Sequence, residues 1–313
     1  MNATTKFAGF ALGIAAVFGI AVAVGATIGP APADPQRPVQ AGHGDHAAPD
    51  AAAAAGLPGG LLATDQGYTL ALDKPNTATS PQATVGFRIL DANGVPVTKY
   101  VTSHDKDLHL IVVRRDMAGF QHVHPALDSA GTWSVPLNLS RAGDYRVFAD
   151  FTPVGGQNLT LGADLRVAGN YDVQALPAPA ATTQVGEYTV TLNGAVTPGT
   201  ASKVTLSVSR NGTPVTDLQP YLGAYGHLVA LRAADLAYLH VHPEGAPGDG
   251  KTPAGPGIEF VVNAPSAGSY RLFLDFQHQG VVRTAEFTLS VSPGNQLAAT
   301  SNAAEPAQPG HGH

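Results

Sequence analysis

The sequence predicts an all-β protein, two β-sandwich domains in tandem behind an N-terminal apolar helix. Three observations predict it. Short runs rich in Val, Leu, Phe and Tyr recur between turn signals such as DANG, DSAG and RAGD, the punctuation of a sandwich. No segment after the N-terminus carries a helical period. The whole pattern then occurs a second time.

Taken in order, Lys6 is followed by Phe7 to Gly29, 23 residues without a charge. A bilayer needs about 20 apolar residues, and the apolar part of a secretory signal has about 7–15. Ala31-Pro32-Ala33 is only a weak cleavage match. Residues 1–29 are therefore expected to be a transmembrane helix, with a cleaved signal as the alternative. The chain is then a single-pass protein of the cell membrane with extracytoplasmic domains, or a secreted one if the signal is cut. Lys6 marks the cytoplasmic side. Residues 30–60 are Ala-, Pro- and Gly-rich and hold His43 and His46; residues 295–313 are similar and end in His311-Gly-His313. Both read as disordered, with histidine clusters that suit labile metal capture or are merely solvated.

Between the tails, Tyr68-TLAL returns as Tyr188-TVTL, and Asn93-Gly94-Val-Pro-Val-Thr as Asn211-Gly212-Thr-Pro-Val-Thr. HLIVVRRDMAGFQHVHP (109–125) returns as HLVALRAADLAYLHVHP (227–243), an offset of 118. AGDYRVFADF returns as AGSYRLFLDF at an offset of 125, so the second copy has seven extra residues, within Glu244 to Gly257. Domains are thus expected at 61–170 and 171–294. In the first, strands are expected at 67–72, 83–90, 108–113, 120–124, 132–138, 144–151 and 159–166. Ala-Gly-x-Tyr before an alternating strand matches the tyrosine corner of immunoglobulin-like folds. Alternation turns Tyr145, Val147, Ala149 and Phe151 toward the core.

Composition excludes several functions. The formal net charge of −6 lacks the basic footprint that nucleic-acid binding needs. The absence of cysteine excludes disulfides, thiolate catalysis and Cys-ligated metal or blue-copper sites. Methionine occurs only at Met1 and Met117, which excludes Met-rich soft-metal sites.

The histidines carry the chemistry. Residues i and i+2 of a strand share a face, so His122 and His124 stand side by side. If HLIVV and the following run form a hairpin in which Val113 pairs with Phe120, His109 falls opposite His124 and diagonal to His122. Facing Cβ atoms are about 4.5–5.5 Å apart and diagonal ones about 7–8 Å, close enough for three imidazoles to share one ion. The same register sets His227 opposite His242, near His240, which predicts one three-histidine site per domain. A polar strand face with incidental histidines is the alternative. Pro125 and Pro243 are expected to end their strands. Asp150 and Asp275, His104 and His278 are possible extra ligands. A plain Asp–Arg pair with Arg146 or Arg271 is the competing account of the two carboxylates. Imidazole suits copper and zinc, and affinity peaks at Cu(II), so a copper ion is expected first and a zinc ion second. Ordinary histidines titrate near 6.5, so affinity is expected to fall through that pH.

The Tyr-Thr strand, the Asn-Gly-x-Pro-Val turn, the two His-x-His-Pro segments and the AGxYR strand resemble actinobacterial secreted or membrane-anchored proteins with YtkA-like and FixH-like immunoglobulin-type domains. More loosely they resemble CopC-type copper carriers, although those place a histidine at the mature N-terminus. The resemblance covers residues 61–293. It implies extracytoplasmic copper or heavy-metal handling with His109, His122, His124, His227, His240 and His242 at the motif positions. The expected function is an anchored metal buffer or chaperone whose partners are metal ions and the membrane. A structural or interaction module without metal is the alternative. A zinc-dependent hydratase or hydrolase comes third, since no general acid or base is tied to the histidines, and the chain is not expected to be an enzyme.

Overall fold

The structure, a computed structural model, describes residues 57–239 and 241–292, and of His242 the backbone alone. The expected N-terminal helix, the linker up to residue 56 and the tail from residue 293 lie outside the described residues. No helix among the described residues is long and apolar enough to cross a membrane. Every regular element described is a strand.

The first sandwich comprises β1 (Thr64–Asp65), β2 (Tyr68–Leu72), β3 (Asn76–Ala78), β4 (Ser80–Leu90), β5 (Leu108–Arg114), β6 (Gln121–Val123), β7 (Ala126–Leu127), β8 (Trp133–Leu139), β9 (Gly143–Phe151) and β10 (Leu159–Ala168). One sheet runs β1-β2-β4-β8-β7 and the other β3-β10-β9-β5-β6. The second sandwich comprises β11 (Thr182–Val185), β12 (Tyr188–Asn193), β13 (Ala201–Arg210), β14 (Thr213–Pro214), β15 (Gly226–Arg232), β16 (Tyr238–Leu239), β17 (Val241–Pro243), β18 (Gly257–Asn263), β19 (Gly268–His278) and β20 (Val281–Val291). Its sheets run β11-β12-β13-β18-β17, with β14 on β13, and β16-β15-β19-β20. The seven expected strands of the first repeat are β2, β4, β5, β6, β8, β9 and β10. The short β1, β3 and β7 carried no pattern long enough to read.

Each sandwich closes on its own core. Tyr145, Val147, Ala149 and Phe151 lie in the first core with Phe87, Trp133 and Leu161. Tyr270, Leu272, Leu274 and Phe276 lie in the second with Phe260 and Phe287. Both tyrosine corners form: the Tyr145 hydroxyl donates to the Arg141 carbonyl and the Tyr270 hydroxyl to the Ser266 carbonyl, each at 2.7 Å. The corner satisfies a buried hydroxyl and ties each strand to the turn before it.

A third apolar cluster joins the two sandwiches. It holds Ile111, Val113, Met117 and Phe148 of the first and Val229, Leu231, Leu236 and Phe273 of the second, all buried. Strand β8 alternates buried and exposed residues along WSVPLNL, as a strand with one wet face must. Strand β5 does not: Leu108 and every residue from Leu110 to Arg114 are buried. Its Leu110 and Val112 point into its own core, and its Ile111 and Val113 point at the other sandwich. The contact is reciprocal. Phe120 stacks on Phe273 with centroids 3.9 Å apart, and Tyr238, the repeat counterpart of Phe120, packs on Phe148 at 5.7 Å.

The segment at the end of the expected linker is bonded to both sandwiches. Gly60 N donates to the Thr160 carbonyl at 2.7 Å, and Tyr238 N donates to the Gly59 carbonyl at 2.9 Å. Gly60 has a φ of +74°, and a Cβ there would lie 2.4 Å from the Phe148 ring, so only glycine fits. Truncating Phe273 to Ala removes a fully buried ring from the joint, and such losses cost about 3–5 kcal/mol. Equilibrium denaturant unfolding of the Phe273→Ala chain should show a loss of that size. A loss under about 1 kcal/mol would mean that the joint contributes little.

Candidate functional site

The outward face of β5 that carries Ile111 and Val113 into the joint carries His109 at its other end. Strands β5 and β6 pair in the expected register: Leu110 with Val123, Ile111 with His122, Val112 with Gln121. Partner numbers sum to 233, as they do for Val113 with Phe120. The chain then crosses to the other sheet, where Ala126 pairs with Ser134 of β8. His109, His122 and His124 are brought together, each half-buried, each offering one nitrogen within 4.8 Å of the others.

The contacts assign the nitrogens. His109 Nε2 lies 3.1 Å from the Ser103 carbonyl. A carbonyl only accepts, so Nε2 carries the hydrogen and Nδ1 is a lone pair. The Ser103–Lys106 turn, with His104 and Asp105 in the left-handed region at φ 50° and 60°, presents that carbonyl. His122 Nδ1 lies 2.7 Å from Asp275 Oδ2. An ionised carboxylate only accepts, so Nδ1 carries the hydrogen and Nε2 is a lone pair. Yet His109 Nδ1 and His122 Nε2 are 3.2 Å apart. With His122 and His109 both neutral, two lone pairs face each other there, and a proton on His122 Nε2 would turn the contact into a hydrogen bond. His124 Nε2 is also 3.2 Å from His109 Nδ1. Nitrogens bound tetrahedrally to zinc at about 2.0–2.1 Å are about 3.3 Å apart, so both edges match a shared ion. No such ion is part of the structure, and the fit rests on these distances and tautomers.

Burial favours the neutral form of two of the three rings. Desolvation lowers the His109 pKa, and lowers that of His124 to about 3, with His122 and His109 adding charge repulsion. Protons therefore compete for His109 and His124 only in more acidic water than the ordinary value near 6.5 implies.

The second repeat places its histidines differently. Strands β15 and β16 keep the register, with Ala230 opposite Leu239 and Leu231 opposite Tyr238. But β16 ends at Leu239, and β17 pairs with β18 on the other sheet, His242 opposite Val261. The crossing comes two residues earlier, relative to the motif, than in the first repeat. The described ladder between β15 and β16 thus stops short of the expected pairing of His227 with His242. His240 lies outside the described residues. His227 itself repeats His109: its Nε2 donates to the Tyr221 carbonyl at 2.7 Å, which leaves Nδ1 a lone pair. It is buried, and desolvation lowers its pKa to about 4.

The possible extra ligands separate. The His104 ring is exposed, 5.2 Å from His227 and 6.2 Å from His109. With Asp150, His122 and Tyr238 these line a cavity of about 220 Å³ between the sandwiches. Asp150 accepts from Asn158 Nδ2 at 2.9 Å. His278 is elsewhere, buried between the Tyr188 hydroxyl at 2.8 Å and Asp217 Oδ1 at 3.0 Å. The Asp–Arg account is corrected. Arg146 pairs with Asp164, and Arg271 with Glu286. Residues i and i+4 of a strand are about 13 Å apart, whereas a cross-strand neighbour is about 5 Å away.

The fold and site now stand beside other proteins. The family model for a domain of unknown function (DUF8832) matches residues 63–169 and 183–293, and the chain belongs to that family. No curated protein matches the sequence. Among solved structures, similarity is found to the Escherichia coli adhesin FdeC, at 16% identity over 76% of this chain and 66% of that one, TM-score 0.23. It is found to invasin, a bacterial integrin-binding protein, at 14% over 72% of this chain and 39% of that one, TM-score 0.21. It is found to Yersinia pseudotuberculosis InvD at 15% over 75% and 60%, TM-score 0.24. The chain spans less than two thirds of each of these three. The TM-scores are low, and the architecture stands on the strand pairings above. The likeness to YtkA-like, FixH-like and CopC-type proteins is not confirmed by these matches.

The neutral rings have a cost in acid. A histidine whose folded pKa is depressed binds fewer protons folded than unfolded, so stability is fully present above the unfolded value near 6.5 and is lost as pH falls toward the folded value. Between pH 7 and about 4, the melting temperature of the metal-free chain should therefore fall, and substituting His124 with Ala should flatten that fall. A profile equally steep in the His124→Ala chain would place the acid sensitivity elsewhere.

Proposed function

We propose that this chain is a metal-binding protein outside the cytoplasm, a buffer or chaperone that holds one divalent first-row ion at His109, His122 and His124. The observation that carries the reading is the convergence of three imidazole nitrogens within 4.8 Å of one another, with His109 Nδ1 3.2 Å from both His122 Nε2 and His124 Nε2. In the neutral rings that Ser103 and Asp275 orient, the facing nitrogens are both acceptors, and a cation between them bonds to each. Anchoring of the rings by Ser103 and Asp275 supports it, because metal-bound histidines commonly give their second N–H to a carbonyl or carboxylate. Affinity order favours Cu(II). The 3.2 Å edges favour tetrahedral Zn(II), because adjacent ligands of a square-planar ion at about 2.0 Å are only about 2.8 Å apart. Export is supported by the uncharged run Phe7–Gly29. His227, which lines the same cavity as His109 and His122, is proposed with His240 and His242 as a second ligand set.

The second reading is a cell-surface interaction module without metal. The adhesin likenesses favour it at the level of fold, and the adhesins are surface proteins. One titration separates the two. The full chain, purified without a histidine tag, is titrated with Zn(II) and Cu(II) in competition with a chromophoric chelator. His109→Ala, His122→Ala and His124→Ala should each weaken one equivalent by more than about 100-fold, beyond the loss expected for a supporting residue. His43→Ala should leave that equivalent unchanged. In the unsubstituted chain, affinity should fall as pH drops, because coordination needs unprotonated imidazoles and burial moves that competition downward at His109 and His124. Equal stoichiometry and affinity in all five chains would leave the interaction module standing.

A further inference from the structure

We infer that the metal site of the first sandwich is completed by the second: Asp275 of β19 fixes His122 for coordination, so that ion binding and docking of the two sandwiches are coupled. The inference rests on reading His109, His122 and His124 as a metal site. Asp275 is 4% exposed, and a buried carboxylate is retained only where its oxygens are hydrogen-bonded. Its Oδ1 accepts from the Thr284 hydroxyl at 2.6 Å, and its Oδ2 from His122 Nδ1 at 2.7 Å. Thr284 is its direct partner on β20. The carboxylate is thus held by its own sandwich and aimed across the joint at a ring of the other.

The three rings are oriented by different parts of the molecule. His109 is set by Ser103 within its own sandwich. His122 is set by a residue 153 positions away, in the other repeat. That bond does two things a packing contact does not. It fixes the tautomer with Nε2 unprotonated, and it places a negative charge one ring away from the ion, which raises the donor strength of Nε2. By linkage, whatever Asp275 contributes to ion affinity the ion returns to the docking of the sandwiches. Asp275 is a positioning residue and touches no ion.

The test uses the full chain with Zn(II) as the probe. Asp275→Asn keeps the shape and removes the charge. Ion affinity should fall about 10–100-fold at unchanged stoichiometry, and His122→Ala should lower it further. Nitrogen-15 imidazole spectra should show His122 as the Nδ1–H tautomer in the native chain and as a mixture in Asp275→Asn. Zinc should slow hydrogen exchange in β20 of the native chain, and less so in the variant. If Asp275→Asn does not fold, Thr284→Ala, which leaves the carboxylate in place and removes one of its bonds, should give a smaller loss in the same direction. Native affinity and tautomer in Asp275→Asn, alongside weakened binding in His122→Ala, would overturn the coupling and leave the metal site intact. Absence of zinc binding by the native chain would overturn both.

Discussion

The site depends on one constraint: strands β5 and β15 must bury both faces. A strand in a sandwich has one face for its core and one for solvent. In this chain the second face of each strand is also apolar, Ile111 and Val113 on one and Val229 and Leu231 on the other, and the two pack together with Phe148 and Phe273. The histidines sit at the ends of these same faces, so the apolar joint determines where they meet. It also lowers the local dielectric, which is why desolvation is the largest cause of the shifts at His109, His124 and His227.

Much of this was legible locally. The β5–β6 register followed from keeping His109 on the face of His122 and His124, and a slip of one residue would have reversed that face. The tyrosine corners followed from four residues each. What did not follow was the joint. Yet LHLIVVR carries no period-two alternation, unlike WSVPLNL. An unbroken apolar run in a sandwich strand is a signal that its second face is covered. That signal does not say what covers it, so the meeting of His122 with Asp275, 153 residues apart, had no local trace.

Other misreadings share a cause: they followed the chain where the sheet mattered. Asp150 and Asp275 were set against arginines on their own strands, four residues away, although a strand's near neighbours lie across it. The second hairpin is expected to run past Leu239 because the first continues to Val123 in the equivalent register. The crossing to the other sheet falls at a different point in each repeat, before Ala126 in one and before Val241 in the other. Both flanks carry the same His-Val-His-Pro, so the difference is set by packing against β8 and β18, which the motif does not contain.

A polar face with incidental histidines would be free to relax. An imidazole in water turns about its side-chain torsions until its nitrogens find partners, and exposed lone pairs do not stay 3.2 Å apart. Here neither His109 nor His122 can turn without losing a bond of its own, to the Ser103 carbonyl in one case and to Asp275 in the other. A proton on His109 would resolve the contact, but burial works against it there. With both rings neutral, they are therefore held in an arrangement that a hydrogen bond between them does not explain. Local interactions in a folded chain generally agree with one another, and the exceptions concentrate where something else is bound. In the proposed site, His109 and His122 are the two rings held from behind, by Ser103 and Asp275, and His124 is the third.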